Sequence, residues 1–136
     1  SLDTAASDRE RELDGVEEKV RAGADFLLTE PIYDVPAARE SVLAARQRGI
    51  EVPIIAGVAA FENAVAVARL SLETPGTSLR APEYARDPIA LVLEVTALLG
   101  DLVCGLLVHA PARPDPSSNT RTASLLARVR EQRRTS

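Results

Sequence analysis

A carboxylate closes an apolar stretch of the sequence. The stretch ADFLLTE, residues 24–30, is a nearly continuous apolar run that ends at Glu30, and Pro31 follows at once. A charge at the end of a buried strand must either reach water or be hydrogen-bonded, because burying it without a partner is costly. Glu30 is therefore a candidate binding residue, with a helix cap or a salt bridge in the loop as the alternatives.

The single histidine lies in a similar setting. His109 follows the apolar run LVCGLLV, residues 102–108. An imidazole there could serve as a general base, but a structural histidine whose ring is hydrogen-bonded explains the same position. Because the chain has one histidine and one cysteine, we expect no zinc site.

Helical patterns precede these apolar runs. Ser7, with Glu10 three residues later, makes a capping box, and apolar residues then recur at helical spacing up to Gly23. This pattern predicts a helix over residues 8–22 and a buried strand over residues 24–30. The first unit therefore reads as a helix, a glycine and a strand.

The same order is repeated along the chain. Asp34 can cap a second helix, with Pro36 in its first turn and Gly49 at its end. The next apolar run, residues 52–58, contains Gly57, which either admits a ligand or makes a turn. The later elements are predicted as helices over residues 62–72, from Pro88 to near Gly100, and from Ser118 or Asn119 to about Arg134, with a third strand over residues 102–109.

Three strands that alternate with helices predict an α/β fold with parallel pairing. The strands could form a small open doubly wound sheet, or part of a closed eight-stranded barrel, which needs roughly 250 residues. Ligands bind at the carboxyl ends of the strands in both cases, here Thr29-Glu30, Gly57-Val58 and His109-Ala110. The sequence has no glycine-rich phosphate loop, which argues against an open nucleotide-binding sheet.

Composition excludes several functional classes. The net charge of −4 gives no general reason to bind nucleic acid or an anionic membrane, and the Arg-rich tail RVREQRR reads as the cationic end of the last helix. No apolar stretch approaches the length of a membrane span, and the acidic N-terminal residues lack the basic and apolar regions of a signal peptide, so we expect neither feature. Cys104 cannot form an internal disulfide, and we expect it to behave as a small hydrophobe in a reducing, cytoplasmic protein.

Three blocks of the sequence carry a family resemblance. EEKVRAGADFLLTEPIYDV, RGIEVPIIAGV and a strand ending in HAPAR resemble, in sequence and order, the carboxyl half of methylenetetrahydrofolate reductases. These are flavin-dependent (β/α)8 barrels that reduce methylenetetrahydrofolate to methyltetrahydrofolate. The resemblance covers about residues 8–113, with residues 72–100 matching loosely. It implies that residues 1–136 form one α/β unit, a partial TIM barrel with the last three strands.

The resemblance also implies roles for particular residues. Lys19 matches a lysine that contacts the flavin phosphates, and Glu12 on the same helix matches an acidic position that bonds the ribityl chain or nearby groups. Glu30 matches a glutamine that binds the pterin ring of folate, and Arg113 matches an arginine that meets folate. His109 lies where the family often has tyrosine and joins the implied folate contacts. The alternatives are a solvated Lys19 paired with an acidic neighbour, and an Arg113 that is merely exposed.

Two departures from the family bear on function. Glu30 replaces the glutamine, which keeps a hydrogen-bond acceptor and loses the amide donor. The family's catalytic glutamate, on the first strand, and most flavin-contacting residues have no counterpart, so we expect this chain alone to be inactive.

The implied protein is part of an oxidoreductase that passes hydride from NAD(P)H through FAD to 5,10-methylenetetrahydrofolate, or a flavin-independent member of the family. Three strands alone would leave two strand edges and the apolar inner face exposed. We therefore expect a partner, either the rest of the barrel or other copies of the chain in a homo-oligomer. The alternative is a non-catalytic half-barrel that binds folate or another protein.

Overall fold

The computed structural model describes residues 1–59 and 88–109, together with five helical positions near the carboxyl terminus (127, 128, 130, 131 and 134). The predicted helix over residues 62–72, the caps at Ser118 or Asn119, and Arg113 lie outside the described residues. The chain divides into two compact units, Ser1–Val58 with Glu94–Leu107, and Ala59–Leu93 with Val108–Ser136. The contacts described below lie within the first unit.

Helices and strands alternate as the sequence predicts. Their order is α1 (Arg9–Arg21), β1 (Leu27–Leu28), α2 (Val35–Gln47), β2 (Ile54–Ala59), α3 (Pro88–Leu99) and β3 (Gly105–His109). The strands form one parallel sheet in the order β1-β2-β3. Leu27 lies opposite Ile54 and Leu28 opposite Ile55 in the register of the first pair. The prediction of an α/β fold with parallel strands is confirmed.

The amino ends of the first two helices begin at aspartates. Asp34 caps α2 as predicted, because its Oδ1 accepts a hydrogen bond from the Ala37 N–H at 3.0 Å. The prediction that Ser7 caps α1 is wrong: the cap is Asp8, whose Oδ1 accepts from the Arg11 N–H at 3.1 Å. A carboxylate accepts more strongly than a hydroxyl at the positive end of a helix, so the aspartate one residue later is the better cap.

The carboxyl ends of α1 and α2 are both closed by glycines. Gly23 has φ of 105° and Gly49 has φ of 82°, a left-handed conformation that L side chains rarely adopt. The amide of each glycine, and the amide of the residue after it, bond back to carbonyls in the last turn of the helix. These are Schellman motifs, which confirms the predicted helix ends.

The strands are shorter than the apolar runs that predict them. β1 is confined to Leu27–Leu28, and the Phe26 side chain before it is 56% exposed, so the run is not buried on both faces. β2 starts after Pro53, which has no N–H to donate to a ladder. The segment before β3 folds back on α3 instead, since Val103 N–H donates to the Leu99 carbonyl.

Buried residues follow the periods expected for each element. In α2 they recur at three- and four-residue intervals, and in β2 alternate residues are almost completely buried. The core residues of these two elements are Val35, Ala38, Val42, Ala45, Ile54, Ala56 and Val58. Leu13 and Val16 are the core residues of α1.

Cys104 departs from its predicted environment. Its side chain is exposed, although its backbone N–H donates to the Ile54 carbonyl at 2.9 Å and so joins the sheet. The expectation of a buried small hydrophobe is wrong, because the residue precedes β3 and lies outside its packed part. Among the described residues, every helix is too short or too polar to cross a membrane.

Candidate functional site

The carboxyl end of β1 is tied to β2 by a buried side chain. The Thr29 side chain is 1% exposed, and its Oγ1 accepts a hydrogen bond from the Gly57 N–H at 2.8 Å. The backbone adds two further bonds, from Thr29 N–H to the Ile55 carbonyl at 3.0 Å and from Ile32 N–H to the Gly57 carbonyl at 2.9 Å. The chain on both sides of Glu30 is therefore fixed against β2.

Glu30 combines a fixed backbone with a carboxylate that has no partner in the described part of the chain. Its N–H donates to the Leu2 carbonyl at 2.9 Å, and the residue is half-buried. Within residues 1–59 and 88–109 its carboxylate forms no hydrogen bond or ion pair. The cap of the following helix is Asp34, so neither alternative suggested by the sequence is seen in this part of the chain. The Glu30 backbone is thus held at a strand end, and its carboxylate has no partner among the residues that the structure describes.

Residues 1–4, the edge segment, cover the outer edge of β1. Leu2 forms a parallel bridge with Thr29, its N–H donates to the Leu28 carbonyl at 2.9 Å, and its side chain is 1% exposed. The expectation that three strands leave both outer edges uncovered is therefore wrong for the β1 edge. The sequence SLDT is too short to show a strand pattern, so this pairing could not be found from periodicity.

Glu12 and Lys19 both contact the edge segment. The Glu12 Oε1 accepts from the Asp3 N–H at 2.8 Å, and the Lys19 Nζ donates to the Ser1 carbonyl at 3.2 Å. The two residues are seven positions apart and so share one face of α1. Lys19 is exposed and its recorded partner is a backbone carbonyl, so the predicted pairing with an acidic neighbour is not observed in the described residues.

The structure brings three of the five predicted site residues to the same element. Glu12, Lys19 and Glu30 each bond to the edge segment, at Asp3, Ser1 and Leu2 respectively. His109 is the last residue of β3, and Arg113 lies outside the described residues. The ligand-binding roles of all five residues stay predictions. The edge segment is the part of the site that sequence reasoning missed.

The amino ends of the strands are held by a different side chain. Arg46 donates from Nη1 to the carbonyls of Ile50 at 2.7 Å and Val52 at 2.8 Å, and from Nη2 to the Leu102 carbonyl at 3.3 Å. All three carbonyls precede strands. Arg46 therefore stabilises the sheet at the end opposite to Glu30. In this fold class, residues at that end contribute to stability, whereas ligands bind at the other end.

Ion pairs connect the helices outside the sheet. Arg48 at the end of α2 donates to the carboxylates of Glu10 and Asp14 in α1, and these bonds raise its pKa. Arg39 pairs with Asp101 at 3.0 Å, and its hydrogen bond lowers the pKa of that carboxyl. The carboxylates of these pairs are exposed, and the pairs join α2 to α1 and to the residue that follows α3 by two positions.

Parallel strands joined by helices define an α/β protein, the class in which ligands usually bind at the carboxyl ends of the strands, where Glu30 lies. Residues 1–81 match the family model described as methylenetetrahydrofolate reductase. This match covers more than half of the 136 residues, and the chain belongs to the methylenetetrahydrofolate reductase family. A search of curated protein sequences finds no match. The matched region includes the edge segment, Glu12, Lys19 and Glu30.

Proposed function

We propose that this chain is the carboxyl-terminal portion of a methylenetetrahydrofolate reductase-type (β/α)8 barrel and that it supplies part of the folate site. Residues 1–136 would form one α/β unit with the last three strands. The observation that carries the proposal is the Glu30 carboxylate, which is half-buried at the carboxyl end of β1 and unpartnered in the described residues. It lies in the region that matches the family.

Glu30 would bind the pterin ring of a folate. A carboxylate accepts hydrogen bonds only, and the N–H groups along a pterin edge can donate two to it. Three backbone bonds hold the chain around Glu30 before any ligand arrives, so little ordering is needed on binding. A glutamine, the residue expected from the family, would offer one acceptor oxygen and a donor, so Glu30 should favour a ligand edge made of donors alone.

His109 and Arg113 are proposed as further folate contacts, on the family resemblance. Arg113 would suit an anionic part of the ligand, because its guanidinium forms paired hydrogen bonds with carboxylates. His109 is the last residue of β3, a place from which α/β proteins reach ligands. Both assignments are tested by the same ligand titrations as Glu30.

Lys19 and Glu12 are proposed contacts for FAD, and their chemistry fits that group. The Lys19 ammonium has three donors and gives one to Ser1, so the others suit a phosphate. Glu12 receives the Asp3 N–H on Oε1 and retains acceptor capacity for a hydroxyl. FAD, when bound, supplies the transfer of hydride from NAD(P)H to 5,10-methylenetetrahydrofolate. The residues of this chain would bind and orient, and the chain alone should not catalyse the reaction.

The proposal is tested by titrating the chain with 5-methyltetrahydrofolate and following ligand-induced stabilisation and binding heat. Wild type should be stabilised, Glu30→Ala should lose binding by roughly tenfold or more, since a hydrogen bond to a charged group is removed, and Glu30→Gln should bind with intermediate affinity. Glu18→Gln is the matched control, because it removes an exposed carboxylate from α1. Equal binding by wild type and Glu30→Ala would refute the assignment.

A second candidate is a non-catalytic module that binds another protein or further copies of itself. It is favoured by three large apolar side chains that are exposed in the described part of the chain, Phe26, Leu43 and Leu107. Such side chains would be covered by a partner, by the rest of the barrel or by a homo-oligomer. A self-associated, colourless protein with no response to folate would support this candidate, whereas folate-dependent stabilisation would support the reductase-type site.

A further inference from the structure

The carboxylate of Glu12 has a protein partner of its own. Glu12 is half-buried, and its Oε1 accepts the Asp3 backbone N–H at 2.8 Å. The Asp3 side chain is engaged elsewhere, because its Oδ1 accepts from the Ala5 N–H at 2.9 Å. Glu12 therefore recognises the backbone of the edge segment, and this contact does not depend on the side chain of the residue that it holds.

The residue before Asp3 is the one that pairs with β1. Leu2 N–H donates to the Leu28 carbonyl and Leu2 carbonyl accepts from the Glu30 N–H, each at 2.9 Å. The peptide group that joins Leu2 to Asp3 thus offers its carbonyl to Glu30 and its N–H to Glu12. One planar peptide unit links the α1 carboxylate to the backbone of the candidate binding residue.

We propose that Glu12 is a positioning residue for Glu30, acting through the Leu2–Asp3 peptide. Its carboxylate fixes the orientation of that peptide plane, and the carbonyl of the plane fixes the Glu30 amide at the carboxyl end of β1. Only the expected effect on ligand binding rests on the proposed function. The link itself concerns the chain alone and is independent of any flavin.

Two other anchors of the edge segment do not replace this one. Ser41 Oγ donates to the Thr4 carbonyl at 3.2 Å, and Lys19 reaches the Ser1 carbonyl. Both act on peptide groups other than the one that contacts Glu30. Loss of Glu12 should therefore free the Leu2–Asp3 peptide while leaving the ends of the edge segment attached.

The test is hydrogen exchange of individual amides in the full chain. In Glu12→Ala the Glu30 amide should exchange roughly tenfold faster or more, because a half-buried bond to a charged group is lost. The Leu27 and Thr29 amides, which bond to β2, should be unchanged. Glu12→Gln keeps an acceptor oxygen and should restore most of the protection. Glu18→Ala, on the same helix with an exposed side chain, is the control.

A second pair of variants addresses the same bond from its other end. Asp3→Pro removes the N–H, and Asp3→Ala keeps it while removing the side chain. Asp3→Pro should speed exchange of the Glu30 amide as Glu12→Ala does. Combining the two substitutions should add little further effect, because both remove the same hydrogen bond. If Glu12→Ala does not fold, this pair decides the question alone. Asp3→Ala should leave exchange of the Glu30 amide unchanged. Unchanged exchange of that amide in Glu12→Ala or Asp3→Pro, or equally faster exchange of the Leu27 and Thr29 amides, overturns the inference.

Folate titration separates this inference from the proposed function. If wild type binds 5-methyltetrahydrofolate, Glu12→Ala should weaken binding in the absence of flavin, and Glu12→Gln should recover it. If wild type does not bind while the exchange pattern holds, the folate role of Glu30 is refuted and the positioning role stands. If the Glu30 amide exchanges faster in Glu12→Ala but folate affinity is unaltered, positioning of Glu30 by Glu12 does not contribute to folate binding.

Discussion

The buried hydroxyl of Thr29 offers a sharp test of how the candidate site is held. Thr29→Val keeps the shape of the side chain and removes the acceptor for the Gly57 N–H, which is bonded at 2.8 Å in a buried setting. A buried donor left without a partner costs about 1 to 3 kcal/mol. Against a total stability of roughly 5–15 kcal/mol for a domain, that loss is readily measured.

Urea unfolding of Thr29→Val should give a free energy of unfolding lower by about 1 to 3 kcal/mol than wild type, with an unchanged denaturant slope. Thr29→Ser is the matched control: it loses one methyl group, about 1 kcal/mol, but retains the hydroxyl acceptor. The two variants are separated by the Gly57 amide, which should lose protection from exchange in Thr29→Val and keep it in Thr29→Ser. A Gly57 amide that stays protected in Thr29→Val contradicts the reasoning, whatever the stability.

Three further predictions follow from the helix ends, the ion pairs and the thiol. Asp8→Ala should lower the unfolding free energy by about 1 kcal/mol and Ser7→Ala should change it little, as measured by thermal melting, because Asp8 is the cap of α1. The Arg39 hydrogen bond lowers the pKa of Asp101 below its ordinary 3.8, so its contribution to stability is full above pH 3.8 and is lost as pH falls through the folded-state pKa; Asp101→Asn should remove that part of the acid dependence in unfolding curves, and an identical curve would contradict it. Cys104 should react with a thiol reagent in the native state at a rate little changed by denaturant, and a thiol protected until unfolding would disprove its exposure.

Much of the fold could be read from local signals. Glycines at the helix ends, Asp34 with Pro36, and apolar runs of strand length are short-range features whose physical cause lies within a few residues. Within residues 1–59 and 88–109 they predicted the order of elements correctly. They also placed Glu30 at a strand's carboxyl end, which follows from the direction of a parallel strand.

What could not be predicted depends on contacts far apart in sequence. The pairing of Leu2 with Thr29 is an interaction across 27 positions that leaves no period in the chain, and Glu12 carries no local sign that its carboxylate will hold the Asp3 amide. The predicted strand lengths were wrong because they too depend on contacts far apart in sequence. Apolarity shows what can be buried, but ladder bonds with a neighbouring strand decide where β1 begins and ends.

The edge segment changes how the site should be understood. Leu2 forms a parallel bridge with Thr29, and α1 and β1 follow it in the chain. β1, α2 and β2 have the same order of extended backbone, helix and strand. Parallel pairing in this sheet therefore begins with an isolated bridge at Leu2, ahead of the first apolar run. β1 consequently has a hydrogen-bonded neighbour on each side, Leu2 on one and β2 on the other.

This arrangement explains why a charged side chain can be kept available at the end of so short a strand. The Glu30 amide is held by one neighbour, and Thr29 is held by the other through both its backbone and its hydroxyl. A rigid backbone lets the carboxylate face a ligand at little entropic cost on binding, which is the condition that specific recognition requires. Loss of the bonds to either neighbour should make the Glu30 backbone more mobile while leaving its carboxylate in the chain. Thr29→Val and Glu12→Ala should therefore weaken folate binding by separate routes, and their effects should add if the two sides of β1 act independently.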